Sequence, residues 1–463
     1  MEKTKTINQQ NIPTDLGTES IGKLLMKYAV PAIIAMTASS LYNIIDSIFI
    51  GQGVGPYAIT GLALTFPIMN LSAAFGAMVG VGGSTILSIF LGQKNYGAAK
   101  KVLSNVVGLN VVLGLLFMIF VLIFLEPILY FFGASETTIG YASEYMTIIL
   151  YGNVITHLYL GINSLLRASG HPNKAMVATF LTVILNTALD PLFIFTFNMG
   201  IKGAAWATVI SQSISLIWLL YIFSNKNEIV HFDSIKKIIS FDRDIIRKAL
   251  SIGLSPFLMN FAACFVVIII NQSLKEYGGD LSIGAYGIVN RVVFLIVMVV
   301  MGLNQGMQPI VGYNFGAGDM SRVKRTLKLT IYAATVITTA GFLIGELFPN
   351  LVVSAFTTNN ELRKLAAEGL RLTVLAFPIV GFQIVVSNFF QCIGMAGKAI
   401  FFSLSRQVLF LIPGLLIYPI FCGTTGVWVS MPISDAVATI IAAVMLWDFI
   451  RKNKNRLPMS TNI

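Results

Sequence analysis

Charge is what this sequence has least of. Only 11% of its 463 residues are Asp, Glu, Lys or Arg, whereas 56% are hydrophobic. A soluble chain carries about 25% charged residues to cover its surface, so an ordinary water-soluble globule is excluded. Cysteine is scarcer still: Cys264, Cys392 and Cys422 lie far apart, match no metal-ligand spacing and read as small membrane-embedded residues. No Gly-rich phosphate loop of the Walker type and no catalytic arrangement occurs, so the chain reads as no enzyme and as nothing driven directly by ATP. The first twenty residues show no signal-peptide pattern, and the apolar run from Leu24 is too long for a cleaved leader.

What the sequence has in quantity is long apolar runs, among them Val102–Phe132, Phe261–Ile270 and Val292–Val300. About 20 apolar residues make a helix that crosses a bilayer. Twelve such spans are expected, near 24–50, 58–91, 102–132, 138–167, 174–198, 203–224, 249–275, 283–313, 324–349, 365–393, 399–421 and 427–450. The expected fold class is an all-α polytopic membrane protein. The net charge of +11 does not point to nucleic acid, because the basic residues form no face beside aromatic platforms. Most of the 31 Lys and Arg residues fall on the termini and on every second loop, the excess expected of cytoplasmic segments. Both termini are therefore expected in the cytoplasm, on a bacterial or archaeal plasma membrane.

The chain also repeats itself. Gly82, Gly92, Lys100, Leu103, Gly170, Lys174 and Ala175 recur 224 positions later as Gly306, Gly316, Lys324, Leu327, Gly394, Lys398 and Ala399. The expected organisation is a cytoplasmic tail (1–23), an N-lobe of six spans (24–224), a linker (225–248), a C-lobe of six spans (249–450) and a second tail (451–463). Within the linker, the basic amphipathic stretch Ile235–Leu250 reads as a helix on the inner leaflet. Six spans per copy give both copies one orientation, so a pseudo-twofold axis along the membrane normal is expected, with a substrate cavity between the lobes.

Ionisable groups inside spans are costly and therefore informative. Asp46 lies in the first span and Asp190 in the fifth, where Asn186 shares its helix face four residues back and Pro191 follows directly. Counting along the helices puts both acids in the outer half of the N-lobe, with Thr208 and Tyr145 as polar neighbours. Two carboxylates held together out of water cannot both stay charged, which suits a group that loads a proton or exchanges it for sodium. The bland alternatives are a helix-end Asp190 beside Pro191 and a water-exposed Asp46. At the same offset the second half has Ile270 and Gly414 instead. Its interior charges are Arg291, Arg406 and Asp435; Arg291 reads as a cavity or structural group and Asp435 as an accessory substrate contact. His157 is the sole histidine within a span and reads as a relay or a hydrogen-bonded cavity residue. The 18 methionines, Met36, Met69 and Met259 among them, suit a cavity that accepts varied apolar compounds.

Several tracts together resemble the multidrug and toxic compound extrusion (MATE) family of the MOP superfamily. They are Leu91-Gly92-Gln93, Phe315-Gly316-Ala317-Gly318, Arg167-Ala168-Ser169-Gly170, Asn186-Thr187-Ala188-Leu189-Asp190-Pro191 and Gly203-Ala204-Ala205-Trp206-Ala207-Thr208. The resemblance covers about residues 20–450. It implies an antiporter that exports organic cations or other small amphipathic compounds against protons or sodium by alternating access; a monomer is the expected unit. It carries the N-lobe ion network onto Asp46, Asn186, Asp190 and Thr208, with Tyr145 nearby; the first four are the ligands if the ion is Na+. No cofactor beyond the coupling ion is implied. The NorM-like branch also has acids in spans seven and ten, and 256–272 and 372–391 contain none here. That departure favours a DinF-like or MepA-like member. A lipid-linked oligosaccharide flippase of the same superfamily is the second reading.

Overall fold

The computed structural model describes residues 15–233 and 238–452, and among these it is helical with no strand. The N-lobe comprises α1 (Asp15–Thr18), α2 (Ile21–Gly53), α3 (Pro56–Gly92), α4 (Tyr96–Ile123), α5 (Leu125–Phe131), α6 (Ile139–Tyr151), α7 (Asn153–Ala168), α8 (Pro172–Pro191) and α9 (Ile201–Ser224). The C-lobe comprises α10 (Arg243–Gly316), α11 (Met320–Leu347), α12 (Pro349–Ser354), α13 (Asn360–Val374), α14 (Phe377–Cys392), α15 (Ala396–Leu404), α16 (Ile412–Cys422) and α17 (Thr424–Lys452). Among the described residues, nine helices are long and apolar enough to cross a membrane. One of them, α10, breaks at Gly279 (φ 69°) into two crossings, 243–278 and 280–316. The bent pairs α6–α7 (54°) and α13–α14 (55°) complete a set of twelve.

The duplication seen in the sequence extends to backbone detail. Asn95 caps α4 by accepting from the Ala98 N–H, and Asp319, its counterpart 224 residues on, caps α11 by accepting from Ser321 and Arg322. Left-handed backbone recurs in register at Gly55 and Gly279, Lys94 and Gly318, and Gly170 and Gly394. The two bent pairs also turn at equivalent places, Gly152 and Ala376. The two lobes are therefore copies of one six-helix unit.

Apolar packing shows how the copies meet. One large buried cluster draws on both lobes at the end carrying Lys94 and Lys324, with Leu24, Leu103, Met307 and Phe389 among its members. Toward the opposite end the packing splits. Ile50, Tyr145 and Ile201 belong to an N-lobe cluster, whereas Ile270, Leu370 and Trp428 belong to a separate C-lobe cluster. Burial drives such clusters, and one cluster dividing into two describes lobes joined at the basic end and parted by a cleft beyond it.

Contact at the joined end is reciprocal. A Cβ on Gly92 would come within 1.9 Å of the Tyr313 carbonyl oxygen, and one on Gly316 within 2.1 Å of the Ile89 carbonyl oxygen. Ile89 and Tyr313 are themselves 224 residues apart, so the two approaches are images of one another about the pseudo-twofold axis. Gln308 strengthens the seam by donating to Ser84 Oγ (2.8 Å) and Thr85 Oγ1 (2.9 Å).

Two segments differ from the sequence expectation. The described end of the presumed tail is docked: Leu16 is buried, and its carbonyl accepts from Arg322 and Asn314 at 3.0 Å each. The expected surface helix Ile235–Leu250 begins in residues outside those described. Its remainder enters α10 directly, because Asp242 caps that helix by accepting from Asp244 and Ile245. Residues 243–250 are thus the first turns of a span.

Candidate functional site

Four helices build the polar centre of the N-lobe. The apolar sequence of α8 places Asn186 and Asp190 one turn apart on its buried face. From α2 come Tyr42 and Asp46, again one turn apart, and from α9 comes Thr208. Tyr145 on α6 closes the far side. Asp46, Tyr145, Asn186, Asp190 and Thr208 are all buried. Such a cluster in an apolar lobe persists only where its members satisfy one another.

They do so almost completely. Asn186 donates to Asp190 Oδ2 at 3.0 Å, and its amide oxygen accepts from the Thr208 hydroxyl (3.2 Å) and backbone N–H (3.3 Å). Tyr42 and Tyr145 both approach Thr208. The Asp46 and Asp190 carboxyls lie within interacting range of each other, while Asp46 Oδ1 is buried without a partner. Two carboxyls at such range out of water repel unless one of them carries a proton. Once the proton leaves, two like charges face each other out of water, and a cation must take its place. The oxygens of Asp46, Asp190, Asn186 and Thr208 also form a hard donor set that suits an alkali cation.

All five sequence-predicted ion-site residues thus come together. Tyr42 was not among them; the signal for it was its position one turn before Asp46 on the same face. Tyr42→Phe keeps the ring and removes one hydroxyl from Thr208. It is expected to slow gradient-driven transport about threefold to tenfold with little change in thermal stability, since a single neutral hydrogen bond is worth about 0.5–1.5 kcal/mol.

The residues predicted to line a substrate cavity divide. The Met36 sulfur accepts from Gln305 Nε2 at 3.3 Å across the lobe seam. Met69, whose sulfur accepts from Thr65 at 3.7 Å, packs against the outer N-lobe cluster. Met259 is half-buried on α10 and Arg291 is exposed there. His157 is fully buried inside the N-lobe, with Nε2 3.1 Å from Ser72 Oγ, so it is a core group and not a cavity wall. Asp435 is no free substrate contact either: Arg406 Nη1 donates to Oδ1 at 2.9 Å, and the carboxylate side chain is 10% exposed. Its role follows from the pairing, because an unpaired charge at this depth is costly. Asp435→Asn should destabilise the protein by about 1–3 kcal/mol, read as a lower melting temperature in detergent, and should leave relative substrate preferences unchanged.

Comparison with known proteins agrees with the two-lobe fold. A family model described as MatE matches the chain twice, over residues 31–192 and 256–417, once in each lobe. The multidrug export protein MepA of Staphylococcus haemolyticus is 29% identical over 438 residues, 95% of each chain. MepA of Staphylococcus aureus strain NCTC 8325 is 28% identical over 429 residues, 92% of this chain and 93% of that one. Among solved structures, an outward-facing multidrug resistance MATE family transporter of the MOP superfamily superposes with a TM-score of 0.88 at 25% identity. The match covers 95% of this chain and 97% of the other.

Proposed function

The chain belongs to the MatE family, and on that footing we propose that it is a secondary multidrug efflux antiporter. Small amphipathic compounds leave through the cleft between the lobes in exchange for a proton bound at Asp46 and Asp190. Sodium is the other ion that the oxygen set accommodates. The observation that supports this reading is the burial of two carboxyls, Asp46 on α2 and Asp190 on α8, in one polar centre with Asn186 and Thr208. Among the described residues, Asp46 and Asp190 are the buried carboxyls that no Lys or Arg neutralises, whereas Asp435 is paired with Arg406.

The basic loops make the joined end cytoplasmic, so the cleft faces outward. Loading a proton satisfies both carboxyls and lets α2 and α8 pack; losing it forces them apart. That change biases a two-state rocking of the lobes about their seam, and the same rocking moves the drug site from one side to the other. The unit is a single chain, since one chain supplies both lobes and the cleft.

The test is transport in vesicles of the purified protein under imposed gradients. A proton gradient alone is expected to drive drug movement, and a sodium gradient alone to drive it only if sodium is the coupling ion. Equal drug movement with and without any gradient would overturn antiport. Translocation of a lipid-linked sugar with no drug movement would favour the flippase reading.

A further inference from the structure

The helix α2 and the 280–316 arm of α10 run antiparallel, and their contacts mark which face of that arm looks at the N-lobe. Gly306 lies against Ala29, Gly302 against Ile33, Gln305 against Met36 and Met298 against Ser40. At about 100° per residue, the same face continues through Leu295, Arg291 and Gly287. Along this stripe Gly306 and Gly302 are buried with Gln305 half-buried between them, Met298 is half-buried, and Leu295, Arg291 and Gly287 are exposed. A Cβ on Gly287 would meet nothing within 4 Å. The stripe therefore leaves the seam and becomes a wall of the cleft, with Arg291 on it.

Arg291 lies twelve residues past the break at Gly279, about 18 Å along the arm and within the span. An arginine at that depth is kept where it faces water or a partner. Among the described residues it has no ion pair or hydrogen bond, in contrast to Arg406, which Asp435 neutralises. Extending the antiparallel register two turns beyond Ser40 and Met298 sets Arg291 opposite Ser47. That is the level of Asp46, whose own carboxyl turns away toward Asp190. The C-lobe wall of the cleft thus presents an uncompensated cation at the depth of the ion site.

We propose that Arg291 is an anion-recognition point of the drug cleft, taking the carboxylate of zwitterionic or acidic aromatic compounds. This rests on the efflux reading and narrows its substrate class. A guanidinium offers paired N–H donors in a plane that matches a carboxylate. It also replaces the hydration that the carboxylate loses on entering the cleft. The open space at Gly287 leaves room for the aromatic body one turn further out. Compounds carrying only positive charge gain nothing from this residue.

The experiment compares a fluorescent quinolone carboxylate with its methyl ester, which keeps the ring system and removes the anion. Binding and efflux are measured in vesicles of neutral lipid for wild type, Arg291→Ala and Arg291→Lys. The expected result is acid binding about tenfold or more weaker in Arg291→Ala, an intermediate loss in Arg291→Lys, and ester binding and efflux unchanged. The unchanged ester also shows that the variant is folded. An equal loss for acid and ester would overturn the proposal, as would no loss for the acid. Displacement of the acid from wild type by added anionic phospholipid would make a lipid headgroup the occupant and overturn it too. If wild type moves neither compound under any gradient, the efflux reading fails first; if it moves the ester normally and the acid independently of Arg291, only this inference fails.

Discussion

Asp190→Asn should abolish gradient-driven efflux while leaving the protein folded and able to bind drug. The amide matches the carboxyl in size and keeps a hydrogen-bond donor beside Asp46, so the local packing of α8 against α2 survives. What it cannot do is lose a proton. The site is then fixed in the condition of a loaded carboxyl, and the exchange between proton binding and drug release has nothing left to act on. Coupling of this kind is a free energy shared between two sites; with one site unable to change state, transport should fall by about a hundredfold. Vesicle efflux under a proton gradient measures the rate, and fluorescence titration of a bound dye measures affinity. Rates equal to wild type under both proton and sodium gradients would remove Asp190 from the coupling site.

The second half offers no substitute for this site. Ile270, at the position equivalent to Asp46, is buried in the C-lobe apolar cluster, and Gly414, equivalent to Asp190, lies beside Tyr418 and Ser430. The duplication supplies two similar scaffolds, only one of which can change its charge between these helices.

Much of this arrangement was legible in the sequence because burying polar groups is expensive. Asp46, Asn186, Asp190 and Thr208 stand out against apolar runs, and helix spacing and depth suffice to bring them together. The constant offset gave the lobes for the same reason: equivalent turns need equivalent glycines and caps. Other features depend on contacts between distant segments. Asp435 read as a substrate contact because its partner, Arg406, sits on a different helix. Docking of α1 depends on Arg322 and Asn314 at the start of the second repeat's third crossing and the end of its second, and nothing local announces it. Amphipathic periodicity from Ile235 read as a separate surface helix, whereas the cap at Asp242 starts the seventh span. The bend between α6 and α7 falls at Gly152 without a proline, and a lone glycine in an apolar span does not distinguish a bend from a straight helix. Tyr42 was hidden for a simpler reason: a tyrosine costs little in an apolar span and does not stand out until its hydroxyl is placed.

The largest effect outside the ion site is expected where the lobes touch. Each of Gly92 and Gly316 faces a backbone carbonyl of the other lobe, and a carbonyl inside a helix cannot swing aside as a flexible side chain would. A methyl group at either position must therefore push the lobes apart at the basic end. Overpacking costs about 1–3 kcal/mol per site, and the two sites lie on one seam, so Gly92→Ala with Gly316→Ala approaches the roughly 5.5 kcal/mol that turns a 99:1 preference into 1:99. The double variant should favour the state open at the basic end. Its transport should fall about a hundredfold, because a carrier held in one state does not turn over, and each single variant should fall between it and wild type. Accessibility supplies the decisive measurement. With Cys264, Cys392 and Cys422 replaced, a single cysteine at Thr85, buried at the seam beside Gln308, should react with a membrane-impermeant thiol reagent far faster from the cytoplasmic side in the double variant. Gly97→Ala is the control, since a Cβ there meets nothing within 4 Å. Unchanged labelling and unchanged transport in the double variant would mean that the glycine seam is not what holds this end of the cleft shut.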